Sequence, residues 1–171
     1  QKAKNEYSNA FICSLALAYV KAVFEYCKPI ETLRLELTVP STNKKTGEYE
    51  DEILLFFGQI KKAKGVDVLL KAAAETKSNY KLIIAGKLRF EDWDRYDAII
   101  KEKNLEDKVI PVIRHISDEE RDVLFAISKA VILSYRFIYQ SGVLLMAMSF
   151  PKLVLASDLS PNSDIVEDGK N

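Results

Sequence analysis

The chain has 171 residues, with 25 basic and 25 acidic side chains, so its formal charge cancels. Hydrophobic residues make up 48%, which excludes a disordered tail, and a chain of this length buries about 70% of the surface it exposes unfolded, so one core can form without a metal or a disulfide. The balanced charge also excludes a broad electrostatic footprint for nucleic acid or an anionic membrane, so any phosphate binding must come from local geometry.

In chain order the first element is an amphipathic helix at about residues 9–28. Ile12, Leu15, Ala16, Tyr19, Val20, Val23 and Cys27 recur at helical spacing, with Lys21, Glu25 and Lys28 on the other face. Pro29 ends it. Lys21 interrupts its apolar run, which is shorter than the about 20 residues that cross a bilayer, so no transmembrane segment is expected. Cys13 and Cys27 fall roughly 21 Å apart along such a helix, too far to pair. They read as core thiols in a reducing, cytoplasmic setting. Residues 29–50, with Pro40, Ser41, Thr42, Asn43 and Gly47, read as a linker with room for a short strand at 35–39.

From residue 52 the pattern turns regular. The apolar run 53–57 ends at Gly58 and predicts a buried strand. Val66, Leu69, Leu70 and Ala73 give the next helix its stripe. A second strand covers 80–85, and Phe90, Trp93, Tyr96 and Ile100 mark a helix. The third strand is 109–113. Ser117 and Glu120 have the spacing of a capping box and open a helix to about Ile127. The fourth strand is 130–133. Residues 142–149 predict a helix apolar almost all round, and therefore buried. The fifth strand is 152–156, and 162–168 predicts a last short helix. Strands that are continuous apolar runs, alternating with helices, predict an α/β fold: a Rossmann-like, doubly wound parallel sheet covered on both faces, with the amphipathic helix as an N-terminal extra.

In such a sheet, ligands bind outside the carboxyl ends of the strands, where the strand order reverses. With the order 3-2-1-4-5, the loops that matter are 58–64 and 135–142. Several ligands lose support there. Gly58 and Gly65 do not make the GxGxxG of a dinucleotide site, and Val66 stands where a P-loop needs lysine. There is no Gly-x-Ser-x-Gly elbow, and His115 is the only histidine, so no multi-histidine metal site can form. What remains is cationic and hydroxylic. Lys61, Lys62 and Lys64 follow the first strand, with Gly58 giving close backbone approach. Tyr135, Arg136, Gln140, Ser141 and Gly142 follow the fourth, and Ser141-Gly142 opens a helix whose free N–H groups suit a phosphate. Two such loops on one crevice would hold a pyrophosphate from both sides. The plainer alternative is a solvated lysine-rich loop beside an ordinary helix cap.

Phe56-Phe-Gly-Gln-Ile followed by Lys64-Gly-Val-Asp-Val-Leu-Leu-Lys-Ala-Ala resembles the opening of the donor-binding domain of the retaining family 4, or group 1, glycosyltransferases of the GT-B fold. Leu82-Ile-Ile-Ala-Gly86 resembles that family's second strand, and Ile116-Ser-Asp-Glu-Glu with Leu124-Phe the turn and helix after its third. Ser134-Tyr-Arg-Phe-Ile-Tyr-Gln-Ser-Gly-Val is similar to a subgroup's Pro-Tyr-Arg…Gln-Ser-Gly-Val segment, and Ala156-Ser-Asp with Ile165-Val-Glu-Asp-Gly fits the closing part. The resemblance covers about residues 53–171 and implies half of a GT-B enzyme. Residues 1–50 would be a remnant of the acceptor domain and its linker. Residues 51–171 would be the nucleotide-sugar-binding domain, truncated at its C-terminus and inactive without its partner domain.

The implied substrate is a nucleoside diphosphate sugar, transferred with retention in polysaccharide or glycoconjugate synthesis. No cofactor or metal is implied. Lys64 matches the family's phosphate-binding lysine, with Gly58, Gln59, Tyr135, Arg136, Gln140, Ser141, Gly142 and Val143 around the donor phosphates. Arg114, His115 and Ile116 match the loop that borders the base. The catalytic residues stay unknown. Gln59 stands where the family has arginine. The family's two glutamates fall near Ile138 and Met146, neither acidic, and Ser134, Pro151, Ser160, Pro161 and Asp164 also depart from its pattern. These departures keep a second reading open, a non-catalytic α/β scaffold that has lost donor binding. The N-terminal helix, lacking a parent sheet, is expected to bury its stripe on this domain or on a second copy in a homodimer.

Overall fold

The computed structural model describes residues 52–90, 92–150 and 152–167. The expected helix at 9–28, its two cysteines, the linker, the homodimer contact and Pro151 lie outside the described residues. Strand β1 (Glu52–Phe57) leads through a single 3₁₀ turn at Lys62–Lys64 into helix α1 (Val66–Glu75). There follow β2 (Tyr80–Ala85), α2 (Asp94–Glu102), β3 (Val109–Val112), α3 (Asp118–Ile127), β4 (Ala130–Leu133), α4 (Gly142–Ser149), β5 (Leu153–Ala156) and α5 (Ser160–Ser163). All pairings are parallel and the order is β3-β2-β1-β4-β5. The order reverses between β1 and β4, as the usual order of a doubly wound sheet leads one to expect. Right-handed connections then put α1 and α2 on one face and α3 and α4 on the other.

The central strands carry the core. Leu55, Leu82, Ile84, Val131 and Leu133 are fully buried. On one face Phe57 meets Phe125 of α3 edge-on at 5.3 Å, and Phe125 meets Phe150 beyond α4 at 4.9 Å. Such aromatic contacts stabilise beyond the area they bury. The capping box of α3 is complete: Glu120 N–H donates to Ser117 Oγ at 3.2 Å, and Ser117 N–H donates to Glu120 Oε2 at 3.0 Å.

Four expectations need correction. Helix α2 starts at Asp94, and Phe90 stands outside it with φ 60° and its ring 92% exposed. The neighbouring Arg89 N–H is held by Ile60 O at 2.9 Å, which draws this segment into a loop pairing and away from helical phase. Helix α4 is buried only along Leu144 and Ala147, while Leu145 and Met148 are exposed. Composition sets how apolar a helix is, but its neighbours decide which stripe they cover. Strand β5, at the edge of the described sheet, alternates, with Val154 buried and Leu153 and Leu155 exposed, because successive side chains point to opposite faces and only one of them is covered there. The last helix sits at Ser160–Ser163, two residues earlier than the apolar pattern suggests, with proline in its first turn.

Candidate donor site

The loops after β1 and β4 meet at the switch point. Gly65, at φ 64°, ends the 3₁₀ turn and starts α1. A Cβ there would lie 2.0 Å from Ser134 O, so only glycine allows the two backbones this close. Two donors join the same segments, one of them shared between two carbonyls. Arg136 N–H donates to Ala63 O at 2.9 Å, and Ser134 Oγ–H faces Lys64 O at 3.1 Å and Gly65 O at 3.2 Å.

Lys64 lies between these links. Its Nζ sits 3.5 Å from the centre of the Tyr135 ring, a cation–π contact. Tyr135 is buried, and its hydroxyl is 3.3 Å from Ser141 Oγ. Ser141 in turn caps α4 by accepting from Leu144 N–H at 3.1 Å. A short side-chain path therefore runs from the ammonium to the helix start. On the β1 side, a Cβ at Gly58 would come 3.3 Å from Val143 Cγ2, so that loop also reaches the first turn of α4. The Lys64 turn and the opening of α4 thus converge.

The electrostatics follow from this packing. Burial, reinforced by Lys61, pulls the Lys64 pKa from 10.5 down to about 8. Burial raises that of the Tyr135 hydroxyl, which therefore stays neutral. The first-turn amides of α4, those of Gly142 and Val143, have no partner within the helix and carry the positive end of its dipole. Gln59, Gln140 and Gly142, in the same two loops, are exposed. The arrangement offers one tunable cation and a helix start to an anion.

Several candidate residues are engaged with protein partners. The Arg136 guanidinium makes a bidentate pair with the Asp67 carboxylate, at 2.7 and 2.8 Å. Arg114, His115 and Ile116 follow β3, two strands from β1 on the same sheet edge. Arg114 pairs with both oxygens of Glu120, at 2.8 and 2.6 Å, and holds that carboxyl well below its usual range. Ile116 is buried and His115 exposed. Among the described residues, no group of three His, Cys, Asp or Glu side chains is placed to hold a metal ion.

Sequence reasoning missed two parts of the site. One is Asp67: its spacing from Leu70 places it on the buried face of α1, but a first-turn carboxylate is also ordinary at a helix start, so its partner was not legible. The other is the loop after β2. Ile60 N–H donates to Lys87 O at 2.9 Å and Ile60 O accepts from Arg89, an isolated parallel bridge that extends β1–β2 pairing past Gly58. No short-range pattern announces such a bridge.

The Ser141 cap provides a test of the local structure. Ser141→Ala removes the cap and strands the buried Tyr135 hydroxyl. It should cost about 1–2 kcal/mol in urea denaturation. An unchanged midpoint would contradict the described contacts.

The family model for group 1 glycosyl transferases matches residues 39–171. The chain belongs to that family. Among solved structures it is similar to the C-terminal domain of a group 1 glycosyl transferase (LpcC) from Francisella tularensis, with 18% identity and a TM-score of 0.63 over 80% of this chain and 75% of that one. It is also similar to Anabaena HepE in complex with UDP, with 21% identity and a TM-score of 0.67 over 83% of this chain and 37% of that one. A glycosyltransferase from Rickettsia africae gives 19% identity and a TM-score of 0.67 over 82% and 35%. The group 1 chain therefore spans about a third of the length of the latter two. A comparison with curated proteins gives no match. The sheet has the Rossmann-like fold of GT-B glycosyltransferase domains, the C-terminal domain of LpcC among them. Among the described residues, no helix of this group 1 domain is long and apolar enough to cross a membrane.

Proposed function

We propose that residues 51–171 bind a nucleoside diphosphate sugar and form the donor half of a retaining glycosyltransferase of polysaccharide or glycoconjugate synthesis, working in the cytoplasm without a metal or cofactor. Residues 1–50 would belong to the acceptor side and the linker. The observation that carries this reading is the convergence of the Lys64 turn and the α4 start on one crevice beside β1 and β4. Lys64 would neutralise charge on the diphosphate, and the Gly142 and Val143 amides would donate to its oxygens. Gln59 and Gln140 would add neutral hydrogen bonds at the exposed rim, and the loop 114–116 would border the base. The UDP held by HepE and the ADP held by starch synthase IV from Arabidopsis thaliana support a nucleoside diphosphate as the ligand class.

Transfer needs an acceptor brought to the anomeric carbon, and this proximity is what a second domain supplies. The domain alone is expected to bind donor and turn over little. Calorimetry should give measurable binding of UDP or ADP, and uridine or adenosine should bind at least about tenfold more weakly because each lost charge-assisted contact costs about 1.5–3 kcal/mol. Ile138 and Met146, at the family's glutamate positions, favour a scaffold without ligand. Silence toward both diphosphates at millimolar concentration would decide for the scaffold.

A further inference from the structure

We propose that Asp67 and Arg136 are a positioning pair that holds the Lys64 turn against the 134–142 loop, and that Arg136 itself makes no contact with the donor phosphates. The inference rests on the donor-site reading for its consequence but on packing for its geometry.

Asp67 is the second residue of α1 and is only 5% exposed. A buried carboxylate needs a partner that satisfies both oxygens. The Arg136 fork supplies this, with Nη1 to Oδ1 at 2.7 Å and Nη2 to Oδ2 at 2.8 Å. The guanidinium hydrogen bonds, then its charge, hold the Asp67 carboxyl below its usual range. Arg95 adds a more distant cation at 3.6 Å from the exposed flank. Two parallel hydrogen bonds fix the direction and the plane of the arginine, which a point-charge ammonium cannot do.

The position of the pair gives it a role. Arg136 follows Tyr135, and Asp67 lies three residues beyond Lys64. The Arg136 N–H to Ala63 bond sits on one side of Lys64, and the Ser134 bonds to Lys64 and Gly65 carbonyls on the other. The ion pair closes this set from the α1 side. It therefore fixes where the Lys64 ammonium stands relative to Tyr135 and the start of α4. An arginine already neutralised by a buried carboxylate is also a poor phosphate ligand, since phosphate would have to displace that carboxylate.

Asp67→Asn separates the roles by sign. If Arg136 waited for phosphate, removing its carboxylate would tighten UDP binding. As a positioning pair, its loss should weaken UDP binding by about tenfold, within the about 100-fold that a misplacement near 1 Å can cost. A second readout needs no nucleotide. In the parent chain, NMR titration of labelled lysines should find Lys64 at about 8, and in Asp67→Asn it should move up toward 10.5 as the turn loosens and hydrates. Simple loss of a nearby negative charge would move it down. Arg136→Lys, which keeps a charge opposite Asp67 but loses the fork, should change both readouts in the same direction by less and serves if Asp67→Asn does not fold. Tighter or unchanged UDP binding, or a Lys64 titration that stays in place in a folded variant, overturns the pair. Failure of the parent to bind UDP or ADP while Lys64 still shifts in Asp67→Asn sinks the donor reading and leaves the pair standing.

Discussion

Gly86→Ala should cost about 3–5 kcal/mol in urea denaturation, combining backbone strain and overpacking. Gly86 ends β2 at φ 147°, and a Cβ there would stand 1.8 Å from Gly58 O and 2.7 Å from Gly58 C. The obstacle is main chain, so no rotamer relieves it. Gly58 would have to retreat, and its N–H would lose Ala85 O, now at 3.0 Å. Ile60 follows and would lose Lys87 O, opening the loop that faces Val143. A native state worth about 5–15 kcal/mol would keep little of its margin. Gly142→Ala is the control, since a Cβ there meets nothing within 4 Å, and its stability should stay within about 0.5 kcal/mol of the parent. A Gly86→Ala protein within about 1 kcal/mol of the parent would mean that the loops after β1 and β2 do not touch as described.

The second large effect concerns Lys64. Its pKa of about 8 makes the proposed diphosphate site pH-dependent near neutrality. Only the ammonium attracts phosphate, and its share falls from about nine-tenths at pH 7 to about one-tenth at pH 9, so UDP affinity should fall about tenfold over that range. Above pH 8 binding should take up a proton, visible in calorimetry as heats that depend on the buffer. Lys64→Ala should weaken binding about 10–100-fold at pH 7, as for a lost charge-assisted hydrogen bond, and remove the slope. Stability runs the other way. The folded pKa lies below the unfolded value of 10.5, so the unfolded chain holds the proton more tightly, and folding should gain as pH rises from about 8 to 10.5. Affinity that is flat from pH 7 to 9, or a slope that survives Lys64→Ala, would remove Lys64 from the site.

These two residues also mark what sequence can and cannot convey. The strands at 80–85 and 130–133 and the cap at Ser117 were legible to the residue, because period, punctuation and capping are local signals. The reversal of strand order followed from the general rules of doubly wound sheets. Exposure of Leu145, Met148, Leu153 and Leu155 was not legible, since it depends on which neighbours cover each stripe. In the site, the types of residue after β1 and β4 pointed to an anion. The commitment of Arg136 to Asp67 did not show, because it joins positions 69 residues apart. The closeness of Gly65 to Ser134 and of Gly86 to Gly58 was hidden for the same reason.

The crevice walls are joined by the Arg136 N–H to Ala63 O bond, the close Gly65–Ser134 approach and the Ser134 and Arg136–Asp67 side-chain links, none of which uses Gln59 or Gln140. The exposed Gln59 and Gln140 can therefore be exchanged without displacing the scaffold beneath them. On the donor reading proposed above, drift at such rim positions would retune ligand preference long before it threatened folding, which would make this domain a tractable starting point for directed evolution.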